Sequence, residues 1–246
     1  MDGKLKLIIF DLDNTLFPFN YLWLKANKET FKEYNLLNNI DYDNFTSLYL
    51  KYDLHFWEQH DAGLINLDEL RELRLIKTLD HFSIYISHEE ANKYFNTIFN
   101  KLLSSIMINK KMNNLLIALK EKVDIAILTN GKSEEQNIKI DNLGIRTIFG
   151  NNIFISQEIG YEKPDSNAFL SVTSKYNCSP KECLFIGDSF KNDIIGALNT
   201  DMKAIFLANG NENKVTYKNN DFYIFDDKIE VLLEKLLDDN YRHLLF

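Results

Sequence analysis

The sequence predicts an α/β fold, a doubly wound parallel sheet with an all-helical subdomain inserted into it. Three observations carry this expectation. Short apolar runs alternate with helical segments through most of the 246 residues, the signature of strands feeding crossover helices. One interval of about ninety residues, 17–107, shows helical periodicity and no strand, and a stretch that long cannot be a loop. The chain has only 9 Gly and 3 Pro, too few for the frequent reversals of an all-β design.

The strand signals come first. Apolar runs at 5–10, 123–128, 183–186 and 204–207, a short one at 153–155 and a weaker one at 222–225, read as strands buried on both faces. Helix signals separate them. Ser133-Glu134-Glu135-Gln136 reads as a capping box, with Gly144 placed to end its helix. Ser179-Pro180-Lys181-Glu182 repeats the logic with proline at the first helical position. Asp165 or Ser166 is expected to cap a helix after Pro164. Within the helical interval the pieces are 21–34, 42–60, 67–81 and 88–105, with Asn66…Glu69 and Ser87…Glu90 as capping boxes. The expected division is therefore a sheet domain of residues 1–16 and 108–246 and a helical cap of residues 17–107.

Composition excludes several function classes. The net charge of −8, with no basic stripe, repels a nucleic-acid backbone. The opening run Leu7-Ile8-Ile9-Phe10 is too short for a secretory core, and no stretch approaches the ~18 apolar residues of a membrane span. No membrane partner is expected, and the cytoplasm is the expected location. Two cysteines, Cys178 and Cys183, are too few for a disulfide framework and read as reduced core thiols. Nothing in the sequence fixes an oligomeric state.

The chemistry lies where strands end. Asp11 and Asp13 leave the carboxyl end of the first strand, the edge at which open α/β sheets bind ligands. The second strand ends in Leu128-Thr129-Asn130-Gly131 just before a helix, placing a hydroxyl and free N–H groups where a phosphate is favoured. Each feature also has a plain structural explanation, as a solvated strand end or an Asn-Gly turn. Lys163, in Glu162-Lys163-Pro164-Asp165, read locally is a solvated loop charge. Gly187-Asp188-Ser189-Phe190-Lys191-Asn192-Asp193 follows the next strand; Asn192 or Asp193 could cap a helix there, but Asp188 emerges at the same edge as Asp11. Gathering Asp11, Asp13, Asp188 and Asp193 without compensation raises pKa values by mutual repulsion. A hard divalent cation, Mg²⁺, with Lys163 supplying further positive charge, resolves this and makes one phosphoryl-transfer site.

The ordered series DLDNTL, LTNG, EKPD and GDSFKND resembles the four motifs of the haloacid dehalogenase superfamily of phosphatases. The resemblance covers the sheet domain, and it implies a Rossmann-like core with a helical cap between the first two motifs. It also implies roles. Asp11 is the expected nucleophile, forming an aspartyl phosphate, and Asp13 the acid/base. Thr129, Asn130 and neighbouring amides hold the phosphoryl oxygens, and Lys163 neutralises charge. Mg²⁺ is bound by Asp11, Asp188 and the main-chain carbonyl of Asp13, with Asp193 in support. The expected function is that of a Mg²⁺-dependent phosphomonoester hydrolase acting on a small phosphorylated metabolite. The presence of Asp13 separates this pattern from the metal-free dehalogenases. A phosphonatase would require a Schiff-base lysine from the cap, whereas Lys25, Lys28 and Lys32 read as the solvated face of a helix.

Leaving-group choice is expected in the cap. The segment 56–65, with Trp57 before Gly63, looks like that of bacterial pyrimidine-type 5′-nucleotidases, although His60 stands where an aromatic residue is usual. This implies nucleoside 5′-monophosphates as substrates. Tyr21, Trp23 and Trp57 could stack on a base or could pack the cap's own helices, with Tyr21 and Trp57 the candidates for specificity. Three alternatives stand beside this reading: a phosphosugar phosphatase, a transferase like phosphoglucomutase that keeps the phosphoryl group, and a non-catalytic phosphate-binding module.

Overall fold

The structure, a computed structural model, describes residues 5–208, 213–218 and 220–245. The chain forms two compact units, Met1–Phe19 with Ile106–Phe246, and Asn20–Ser105.

The first unit is built on one seven-stranded sheet in the order β3-β2-β1-β4-β5-β7-β6. Its strands are β1 Leu7–Phe10, β2 Asp124–Thr129, β3 Ile153–Ile155, β4 Cys183–Gly187, β5 Lys203–Leu207, β6 Asn213–Tyr217 and β7 Asn220–Phe225. All pairings are parallel except β6 with β7. Leu7, Ile8, Ile9 and Phe10 are fully buried, because helices cover both faces of a parallel sheet and each apolar side chain removed from water contributes about 1.5–3 kcal/mol. One face packs Leu7 and Ile9 with Ala126, Leu128, Phe169 and Phe185.

Strand β1 lies between β2 and β4, with Phe10 opposite Ile127 on one side and Ile186 on the other. After β1 the chain builds outward through β2 and β3, then returns to β4 and builds the other way. The strand order therefore reverses beside β1, and such a reversal leaves a crevice at the carboxyl ends. Asp11, Thr129 and Asp188 all stand at this edge.

One expectation for this unit is corrected and one strand is added to it. The Ser179 segment has its capping box but closes only a 3₁₀ turn, Pro180–Glu182, because β4 begins at Cys183 and leaves no length for a helix. Strand β6 was not anticipated. Its sequence, NKVTY, has the polar alternation of an edge strand rather than a buried apolar run. Cys183 is buried, Cys178 is partly buried and both are free.

The second unit is helical. Helix α1 (Phe19–Glu33) enters it, followed by α2 (Tyr42–Asp61), α3 (Leu67–Asp80) and α4 (His88–Ser104). Both expected capping boxes form, at Asn66 with Glu69 and at Ser87 with Glu90. Asp41, unremarked in the sequence, caps α2 by accepting from the Asn44 N–H at 3.0 Å. The core of this unit is unusually aromatic. Trp23 packs on Phe95 with ring centroids 5.6 Å apart, and the buried guanidinium of Arg74 lies over Trp23 at 4.9 Å and Tyr49 at 5.3 Å. Arg74 also donates to Asp53 Oδ1 at 2.6 Å.

Candidate active site

The site grows from the loop after β1. The carbonyl of Leu12 accepts from the N–H groups of Thr15, Leu16 and Phe17, and Asn14 takes a left-handed φ of 60°. This tight turn holds Asp11 and Asp13 at the strand end. The Asp11 N–H donates to the Ile186 carbonyl at 2.9 Å, so Asp11 stays in register with β4 for one residue beyond the strand.

The buried ammonium of Lys163 donates to Asp11 Oδ1 and to Asp193 Oδ1, each at 2.6 Å. The loop reading of a solvated lysine is overturned: Lys163 is 4 % exposed. It is held there by Asn130, whose Oδ1 accepts from the Lys163 N–H and whose Nδ2 donates to the Lys163 carbonyl, both at 2.9 Å. The Asn130 side chain is thus committed to the lysine.

Asp193 is not the helix cap. Ser189 is, accepting from the Asn192 N–H at 3.2 Å, while Asp193 Oδ2 accepts from the Ser189 N–H at 2.9 Å. The residues from Phe190 to Ile195 form a π-helical turn, which turns Asp193 inward. Gly187 is required for this arrangement, since a Cβ on it would lie 2.3 Å from Asp193 Oδ2.

The electrostatics follow from crowding. Burial raises the Asp11 carboxyl, aided by the charges of Asp193 and Asp188 and opposed by Lys163, to about 8. Burial and Asp193 likewise push Asp188 up to about 6, against a hydrogen bond from Asn14. Burial works to lower the Lys163 ammonium, but Asp11 and Asp193 outweigh it and hold the group above the ordinary lysine value. Carboxylate oxygens of Asp11, Asp188 and Asp193 lie within 4.8 Å of one another, facing one ammonium. Three hard oxygen donors in electrostatic excess fit a divalent cation.

Asp13 points elsewhere. Lys139, 3 % exposed, donates to both of its carboxylate oxygens at 2.9 and 2.8 Å, and Gln136 Nε2 donates to Asp13 Oδ2 at 3.1 Å. The Asp13 carboxylate is thus taken up by Lys139 and Gln136. Gln136 Nε2 also donates to Thr129 Oγ1 at 2.8 Å and to the Asn130 carbonyl at 2.7 Å.

Lys139 and Gln136 are the site residues that sequence reasoning missed. They lie on helix α6, Ser133–Asn142, which follows helix α5, Lys110–Lys120, and strand β2 along the chain. Gln136 was expected to close a capping box with Ser133, but the N-cap is Lys132 and makes no side-chain cap bond. Ser133 instead donates its hydroxyl to Glu158. The available signal was the Gln136–Lys139 spacing, which puts both on one helix face in a helix that starts at the β2 end of the site.

In the helical unit Tyr21 is 69 % and Trp57 40 % exposed; Trp57 meets His60 of its own helix edge-on with ring centroids 5.4 Å apart, whereas Trp23 is buried. Lys25, Lys28 and Lys32 are exposed, in keeping with the solvated face expected of them.

The model of the family described as haloacid dehalogenase-like hydrolase matches residues 5–201. The chain belongs to this family. As a HAD-like hydrolase it is an enzyme, and among its relatives is the glyceraldehyde 3-phosphate phosphatase of Pyrococcus furiosus, 27% identical over 96% of this chain and 95% of that one. Another is the pyrimidine 5′-nucleotidase YjjG of Escherichia coli, 24% identical over 81% of this chain and 84% of that one. Among solved structures, the HAD-hydrolase YfnB of Bacillus subtilis, bound to magnesium, superposes with a TM-score of 0.77 at 21% identity, over 95% of this chain and 99% of that one. This HAD-like hydrolase has no helix among its described residues long and apolar enough to cross a membrane.

Proposed function

We propose that this HAD-like hydrolase is a Mg²⁺-dependent phosphomonoester hydrolase that works through an aspartyl phosphate, acting on a small phosphorylated metabolite, with nucleoside 5′-monophosphates as the leading class. The single observation that carries the reading is Lys163 bridging Asp11 and Asp193 at 2.6 Å inside a carboxylate cluster that also takes in Asp188.

Asp11 attacks phosphorus with a carboxylate oxygen, and the bond from phosphorus to the ester oxygen breaks as Asp13 gives that oxygen its proton. Asp13, now ionised, takes a proton from water. That water attacks the phosphoryl group, and the Asp11 carboxylate leaves with inorganic phosphate as product. Lys163 balances charge on the nucleophile and the incoming phosphoryl oxygens. Thr129 and main-chain N–H groups near Asn130 and Gly131 orient those oxygens. When bound by Asp11, Asp188 and the Asp13 carbonyl, Mg²⁺ supplies Lewis-acid neutralisation of the transferring group.

The nucleotide class rests on the similarity to YjjG and on exposed Tyr21 and Trp57, whose rings can stack on a base. The archaeal triose-phosphate relatives support the phosphosugar reading, so both classes enter the test. Inorganic phosphate is measured from nucleoside monophosphates, triose and hexose phosphates and p-nitrophenyl phosphate, with Mg²⁺ and with chelator. Release that requires Mg²⁺ is expected. Activity surviving thorough chelation removes the metal from the account, and an isomerised sugar phosphate without free phosphate converts it to a mutase.

A further inference from the structure

We propose that Lys139 and Gln136 are positioning residues for the acid/base carboxylate of Asp13, an inference that rests on the phosphatase reading above. Asp13 sits on a loop with its side chain 28 % exposed, and a carboxylate so placed has rotamer freedom that acid catalysis cannot tolerate. Two donors from α6 remove that freedom. Lys139 grips both oxygens, at 2.8 and 2.9 Å, and Gln136 adds a third contact at 3.1 Å.

The lysine is itself held. Its ammonium lies 4.7 Å from the Phe19 ring centroid and 5.7 Å from that of Phe17, and it is nearly inaccessible to solvent. Burying an ammonium is unfavourable unless it is paired, and an exposed lysine at the same position would leave the fold's apolar core unchanged. Gln136 joins Asp13 to the end of β2 through Thr129 and Asn130, so the acid/base is referenced to the same strand end that is expected to hold the phosphoryl oxygens.

The alternative is a purely structural ion pair, and leaving-group chemistry separates the two. Departure of an alkoxide needs a proton delivered in line, whereas p-nitrophenolate departs with little help. The experiment compares wild type, Lys139→Met, Lys139→Arg and Gln136→Ala on p-nitrophenyl phosphate and on whichever alkyl phosphate of the panel the wild type turns over fastest, in saturating Mg²⁺. Lys139→Met is expected to lose about 100-fold in kcat/KM, which reports only the steps through departure of the ester oxygen and not the hydrolysis of the aspartyl phosphate common to both substrates, on the alkyl ester and less than about 10-fold on the aryl ester. Lys139→Arg is expected to recover much of the loss, and Gln136→Ala to show the same bias in weaker form. Equal losses in kcat/KM on both esters in Lys139→Met and Gln136→Ala would overturn the proposal, as would a raised KM at unchanged kcat, the mark of a lysine that binds substrate. Wild type without turnover on either ester would instead remove the phosphatase reading and this inference with it.

Discussion

Asn130 and Lys163 exchange two hydrogen bonds, side-chain amide to main chain, both 2.9 Å long. This reciprocal clamp fixes the residue from which the Lys163 side chain reaches Asp11 and Asp193. Asn130→Ala is therefore expected to lower kcat about 100-fold by loosening the main chain that aims the ammonium at Asp11 and Asp193, while the fold survives. Steady-state kinetics and thermal unfolding check this, and full activity would show that the clamp is dispensable.

Gly187 and Asp193 define a packing limit. A side chain on residue 187 meets the Asp193 carboxylate at 2.3 Å, and so close an approach forces one of them to move. Gly187→Ala is expected to destabilise the protein by about 1–3 kcal/mol and to impair turnover together with stability. Urea unfolding and phosphate release measure the two effects on the same preparation.

Stability should fall as pH rises in the absence of metal. Asp11 and Asp188 have folded-state pKa values raised to about 8 and about 6. The native protein consequently holds more protons than the unfolded chain between about pH 4 and pH 8, and its stability declines across that window. A divalent cation relieves the same repulsion. Mg²⁺ is therefore expected to raise Tm more at pH 8 than at pH 5, and an equal shift at both values would contradict the crowding account.

Arg74 anchors the helical unit through Asp53 and the rings of Trp23 and Tyr49. Arg74→Met is expected to cost about 2 kcal/mol or more, because it strands Asp53 and removes stacked guanidinium contacts. Denaturant unfolding of the full chain provides the number.

The sheet and the acidic half of the site were legible for one reason: buried parallel strands announce themselves as apolar runs, and Asp11 and Asp188 directly follow two of them. The capped helices α3 and α4 were legible through their boxes. Lys163 was different, since its local sequence is that of any solvated loop lysine. Only the order of the four motifs pointed to it, and its burial depends on Asn130, 33 residues away. Lys139 and Gln136 were passed over because a capping box was the simpler local use for Gln136, and their shared helix face did not say what it would meet. Their partner Asp13 is more than a hundred residues distant. Edge strand β6 escaped because its polar alternation carries no burial signal.

The central claim is that Asp11 is the nucleophile, and the most direct measurement is phosphate release by Asp11→Asn beside wild type. The substitution keeps shape and removes one charge from a crowded cluster, so the fold is expected to survive with Tm unchanged or raised. Turnover is expected to vanish. Release of phosphate by folded Asp11→Asn at a rate near that of wild type would contradict the account.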